Sequence, residues 1–137
     1  AISRTATASK SIAAPRSDAL TLLSTLQREA RLLDLVCESI DEYSDAQIGA
    51  AARDVLRDSR KTLDRMFGLK PLLVSREGDT IEIPADHSPM RWRIVGKESS
   101  RQGTLSHCGW QATKTELPQW SGNADDALVI AAAEVET

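Results

Sequence analysis

"LDRMFGLKPLLVSREGDTIEI", residues 63–83, is where the chain changes its period. Up to Met66 its apolar residues recur at helical spacing. From Leu72 they recur at every second position, through Leu72 and Val74, then Ile81 and Ile83. Gly68 and Pro71 lie between the two regimes and supply a helix stop. The segment after the stop reads as a β-hairpin that turns near Gly78 and ends at Pro84. Helices before this junction and strands after it predict an α+β domain. In it, an N-terminal antiparallel helical hairpin packs on a small C-terminal antiparallel β-sheet or partly open barrel.

Upstream, Ser17 or Asp18 offers an N-cap, and Ala19, Leu23, Leu26, Ala30, Leu33, Cys37 and Ile40 follow at alternating spacings of four and three. This predicts one continuous helix with Cys37 as a small core residue. Leu22, Leu32, Leu35 and Val36 widen its apolar face, so it has room for more than one neighbour. Ser44 and Gln47 have the spacing of a capping box that opens a second helix. That helix carries Ile48, Ala52, Val55, Leu56, Ser59, Leu63 and Met66 on one face. The small residues "GAAA" at 49–52 would permit close approach of the two helices.

Downstream, Met90, Trp92 and Ile94 alternate with Arg91, Arg93 and Val95 as a further strand. "GTLSHCGWQATK" at 103–114 reads as another. The run "LVIAAAEV" suits a strand or a short helix equally. Residues 1–16 hold Arg4, Lys10 and Arg16, no acid and almost no large apolar side chain, and read as a disordered basic tail. A transit peptide has the same composition. The expected organisation is therefore a tail at 1–16 and a single α+β domain at 17–137, with a helical hairpin at 17–67 and a β-rich part at 71–137.

Composition restricts function. The net charge of −3 opposes nonspecific attraction to phosphate backbones, so nucleic acid is an unfavoured partner despite Arg91, Arg93, Lys97 and Arg101 around Trp92. The longest apolar runs, such as "ALVIAAA" at 127–133, fall well short of the roughly 20 residues of a membrane span. With only Cys37 and Cys108 there is no disulfide framework and no zinc spacing, which fits a reducing cytoplasm. Phosphate-binding glycine loops, nucleophile elbows and HExxH are absent from the sequence, and no cofactor is implied.

His107 beside Cys108 raises the possibility of a thiol with its base, as in a small hydrolase or thiol enzyme. In an extended strand, however, neighbouring side chains point to opposite faces. The two do not converge on one atom unless a bulge at Gly109 redirects them. His87 and Asp86, in a loop, lack metal-site spacing with either. This leaves no expected catalytic group beyond the candidates Cys108 and His107, and no metal. Binding candidates are Trp110, Trp120, His107 and Tyr43, because a small sheet does not bury every tryptophan and an exposed aromatic is a typical anchor.

"LQREARLLD" at 26–34, "YSDAQIGAAAR" at 43–53, "GTLSHCGW" at 103–110 and "LP" at 117–118 together resemble the uncharacterised bacterial proteins grouped as domain of unknown function 2760, over Leu20 to Pro118. Members of that family often lie in genomes beside a DnaK-type chaperone homologue. The resemblance thus implies a protein partner of that class, and no activity. The expected function is a non-enzymatic protein–protein interaction module, an accessory factor of such a chaperone. The helical hairpin also offers a face for a homodimer.

Overall fold

In a computed structural model, residues 15–137 are described. Helix α1 spans Asp18–Ala30, and the hydroxyl of Ser17 accepts the N–H of Ala19 at 3.1 Å as its cap. The continuous helix expected to run to Ile40 does not form. The chain stops at Arg31, which adopts φ 59° and ψ 32°, and resumes as the six-residue α2, Leu32–Cys37. A non-glycine residue in the left-handed region costs about 1–2 kcal/mol, so something must hold it there.

That something is Gln27. Its carbonyl accepts the N–H of Arg31 at 3.0 Å. Its side-chain oxygen accepts the N–H groups of Leu33 and Asp34 at 2.9 and 3.3 Å, and its amide nitrogen donates to Asp34 at 2.9 Å. A buried amide thus serves as the N-terminal cap of α2, satisfying donors that a helix start leaves without partners. The break resets the phase of everything after it. Cys37, expected in the core, is exposed, as are Val36 and Ile40.

The capping box forms as read: Gln47 N–H donates to Ser44 Oγ at 3.2 Å, and Ser44 N–H donates to Gln47 Oε1 at 2.9 Å. It opens α3, Asp45–Phe67, 23 residues and about 35 Å long. Gly68 ends the helix at φ 52°. A Cβ there would meet Thr113 Oγ1 at 2.1 Å, and that hydroxyl instead donates to the Gly68 carbonyl. The helices pack through Leu26, Ala30 and Met66, but Thr21, Thr25, Ser59 and Thr62 are buried too, an unusually polar seam. Glu29 of α1 accepts from Thr62 and, in a two-pronged contact, from Arg65 of α3. Since α1 meets the C-terminal half of α3, the small run at 49–52 does not serve the close approach of α1 and α3 expected of it. Gly49 has nothing within 4 Å of where a Cβ would be, and Ala50 and Ala51 are exposed.

The described residues divide into two compact units, 15–67 with 115–137, and Gly68–Lys114. In the helical unit the returning segment is tied along α1. The Arg16 guanidinium lies 5.3 Å above the Trp120 ring and donates to the Leu20 carbonyl; Ser24 Oγ donates to the Ile130 carbonyl at 2.8 Å; Arg31 pairs with Glu134 at 3.3 Å. Arg16 is therefore anchored rather than part of a tail, while the rest of the expected tail, residues 1–14, lies outside the described residues. The run after Ala127 is neither of the alternatives it suggested: a 3-10 turn at Ala124–Asp126 leads into irregular chain with Leu128 exposed.

The second unit holds β1 (Lys70–Pro71), β2 (Thr80–Glu82), β3 (Gln102–Thr104) and β4 (Trp110–Gln111). The hairpin expected between 72–74 and 81–83 is absent. Instead β1 pairs antiparallel with β4 and β2 with β3, so both segments use residues 101–111 as their partner. The bonds Leu72 N–H to Gly109, Leu73 N–H to Cys108 and Leu105 N–H to Asp79 extend these ladders. Between Pro71 and Thr80 lie nine steps facing six between Trp110 and Thr104, and the excess is thrown out as a bulging loop. Its tight turn, with Gly78 at φ 94° and Asp79 accepting the Arg76 N–H, does not reverse the chain, and Val74 projects fully into solvent. Ile83 and Leu105 are buried. The strand expected at 90–95 does not form either. Ser88 caps a turn there, its carbonyl accepting from Arg91 and Trp92, and Met90 is exposed while Trp92 and Ile94 are half-buried. Helices in the N-terminal part followed by small antiparallel sheets make the fold α+β.

Replacing Gln27 with Met, of similar volume, should cost about 1–3 kcal/mol in urea unfolding, because the first N–H groups of α2 lose their acceptor. A change below about 0.5 kcal/mol would mean Gln27 only fills space. The carboxyl of Glu29 is held below its usual 4.5, chiefly by the hydrogen bond from Arg65. The bond's stabilisation is therefore complete above that value and lost as pH falls through the lowered one. The unfolding midpoints of the parent and Glu29→Gln should differ at pH 7 and converge as the pH falls below the lowered value, where the carboxyl of Glu29 is protonated in both the folded and unfolded states.

Candidate functional site

His107 and Cys108 precede β4 rather than lying in it. Gly109 takes φ 72° and packs so closely on Leu72 that a Cβ would meet the Leu72 Cβ at 3.1 Å. Each of the two side chains is committed to this glycine. The Gly109 N–H donates to His107 Nδ1 at 3.0 Å, and the Cys108 thiol donates to the Gly109 carbonyl at 3.3 Å. His107 is exposed and Cys108 half-buried. His87 donates from Nδ1 to the Pro84 carbonyl at 3.0 Å. Among the described residues no group of three or more His, Cys, Asp or Glu is placed to hold a metal ion.

The aromatic candidates occupy different situations. Trp110, 62% exposed, stands on the ribbon formed by 70–83 and 101–111, as does His107. Trp120 is engaged with Arg16, and its ring crowds Gly122, where a Cβ would come within 2.5 Å. Tyr43 sits at the elbow before α3, its hydroxyl donating to Glu38 at 3.0 Å, and that carboxylate raises the tyrosine's pKa.

Tyr43 also lines a half-open cleft of about 350 Å³ in the helical unit. One wall is α2 with Leu35, the elbow contributes Ile40 and Tyr43, and α3 contributes Ile48, Ala51 and Val55. Arg31, Asp34, Glu38 and Gln47 form its polar rim. The break at Arg31 creates it, because a straight continuation of α1 would carry these residues elsewhere. On the other side of α2 a shallower depression runs between Leu33, Cys37 and the returning residues Leu128, Val129 and Ile130. The sequence places Ile40, Ile48 and Val55 on buried stripes and Leu35 on the widened face open to a second neighbour, so of the cleft residues Tyr43 was expected as a binding candidate and Leu35 as a contact with a second copy. One available signal was charge: residues 32–52 contain Asp34, Glu38, Asp41, Glu42 and Asp45 and not one Lys, Arg or His.

Comparison with known families matches residues 15–136 to the domain of unknown function DUF2760. The chain belongs to the DUF2760 family. No curated protein and no solved structure matches it. In this DUF2760 chain the segments "LQREARLLD" at 26–34 and "YSDAQIGAAAR" at 43–53 supply the kink at Arg31 together with Asp34, Tyr43, Gln47, Ile48 and Ala51 of the cleft, while Leu35, Glu38, Ile40 and Val55 lie outside them.

Exposure predicts the order of thiol reactivity. Iodoacetamide on the native chain should modify Cys37 first and the hydrogen-bonded Cys108 more slowly, as read by mass spectrometry of tryptic peptides. Faster labelling of Cys108 near neutral pH would reveal an activated thiolate instead.

Proposed function

We propose that this DUF2760 protein is a non-enzymatic protein–protein interaction module whose cleft between α2 and α3 receives part of a partner. The observation that carries the reading is the cleft itself: an apolar floor left half-open to solvent, with Ile40 45% and Tyr43 46% exposed. His107 and Cys108 both turn to Gly109, an arrangement that favours binding over nucleophilic chemistry. The partner class suggested by the family resemblance is a DnaK-type chaperone, and the two free thiols fit the cytoplasm.

A photo-crosslinking amino acid at position 51, on the cleft wall, should give a discrete heavier adduct in cells, lost when Ile48 is changed to Glu. The same group at exposed position 60 should not give it. No adduct from position 51, or equal adducts from both positions, would contradict the reading.

A further inference from the structure

The cleft's charge and walls identify what fits it, an inference that rests on the interaction reading above. We infer that the occupant is a basic amphipathic α-helix of a partner protein.

The floor is built for a helix. Ile48, Ala51 and Val55 recur at i, i+3 and i+7 along α3, a row in which Ala51 makes a dip between two larger side chains. An incoming helical ridge can settle into such a row. An extended strand gains affinity from backbone pairing along a sheet edge, and here both walls are helices, which present no such edge.

The rim selects for positive charge. Asp34 and Glu38 line the opening, and Asp41, Glu42 and Asp45 are exposed on the elbow and at the start of α3, interspersed in the chain with the lining residues Ile40, Tyr43 and Gln47. Arg31, the one cation among the described lining residues, is held by Asp34 at 2.7 Å and Glu134 at 3.3 Å, and since that pairing also occupies Asp34, selection for positive charge falls to Glu38 and the acids of the elbow. Lysines and arginines flanking the apolar stripe of an incoming helix would meet acids on the rim. A second copy of this chain docked by two-fold symmetry would set acidic rim against acidic rim, which disfavours self-pairing at this face. Complementary charge raises the association rate and makes it salt-sensitive.

The test uses the full chain and three 18-residue peptides: an amphipathic helix with leucines on one face and lysines on the other, its counterpart with glutamates for lysines, and a scrambled leucine–lysine sequence. Binding is followed by methyl chemical-shift perturbation and fluorescence anisotropy. The leucine–lysine helix should shift Ile40, Ile48 and Val55 methyls and bind best. Ile48→Glu should weaken it about tenfold, and Asp41→Asn with Glu42→Gln about threefold, with a flatter salt dependence. Equal binding of the glutamate helix, equal binding of the scramble, or shifts mapping elsewhere would overturn the inference. So would light scattering that shows a dimer formed through Ile48, or tighter peptide binding after removal of residues 1–14, which would make the chain's own basic start the occupant. These results leave the crosslink at position 51 as a separate readout: an adduct there with no preference for the basic helix refutes the occupant alone, and no adduct refutes the module.

Discussion

A single buried amide decides the shape of the helical unit. Gln27 caps α2 through two backbone N–H groups and holds Arg31 in a left-handed conformation that an arginine would not choose alone. Without that cap, the apolar spacing from Ala19 to Ile40 favours a straight helix. With it, the axis breaks after 13 residues and the next turn leans away, so α2 and the start of α3 face each other across an apolar gap. The cleft is thus the geometric consequence of satisfying a few hydrogen bonds rather than of any apolar preference.

The seam between α1 and α3 explains why this unit relies on side-chain bonds as well as packing. Its fully buried positions include Thr25 and Thr62 beside Met66. The hydroxyl of Thr25 is satisfied by the Thr21 carbonyl and that of Thr62 by Glu29, whereas the buried hydroxyl of Ser59 has no hydrogen-bond partner among the described residues. The returning C-terminal segment adds ties at Trp120, Ile130 and Glu134. The apolar side chains that a larger core would have used, Val36, Ile40 and Leu56, remain at the surface around α2 and α3.

Local signals in the sequence were reliable where the cause is local. The Ser44–Gln47 capping box, the Gly68 stop, the N-cap at Ser17 and the switch from helical to alternating period all depend on a few neighbouring residues, and each is found where it was read. What was not legible depends on residues far apart. The alternation around Leu72 and Ile81 signals extended chain, but it cannot reveal that both pieces pair with 101–111 rather than with each other. The stripe through Cys37 was numerically regular, yet periodicity carries no information about a glutamine side chain that interrupts it. The alternation at 90–95 lacked any partner strand, and turns with Ser88 prevailed. For the candidate site, Tyr43 was visible as an exposed aromatic between helices. The other residues of the cleft were hidden because an apolar residue lining an open groove has the same signature as one in a core.

The cleft depends on the break at Arg31. Backbone 13C chemical shifts of the protein in solution measure it directly. Helical shifts are expected over 18–30 and 32–37, separated by a non-helical value at Arg31. An unbroken helical series from Asp18 to Ile40 would contradict it and remove the cleft on which the proposed function depends.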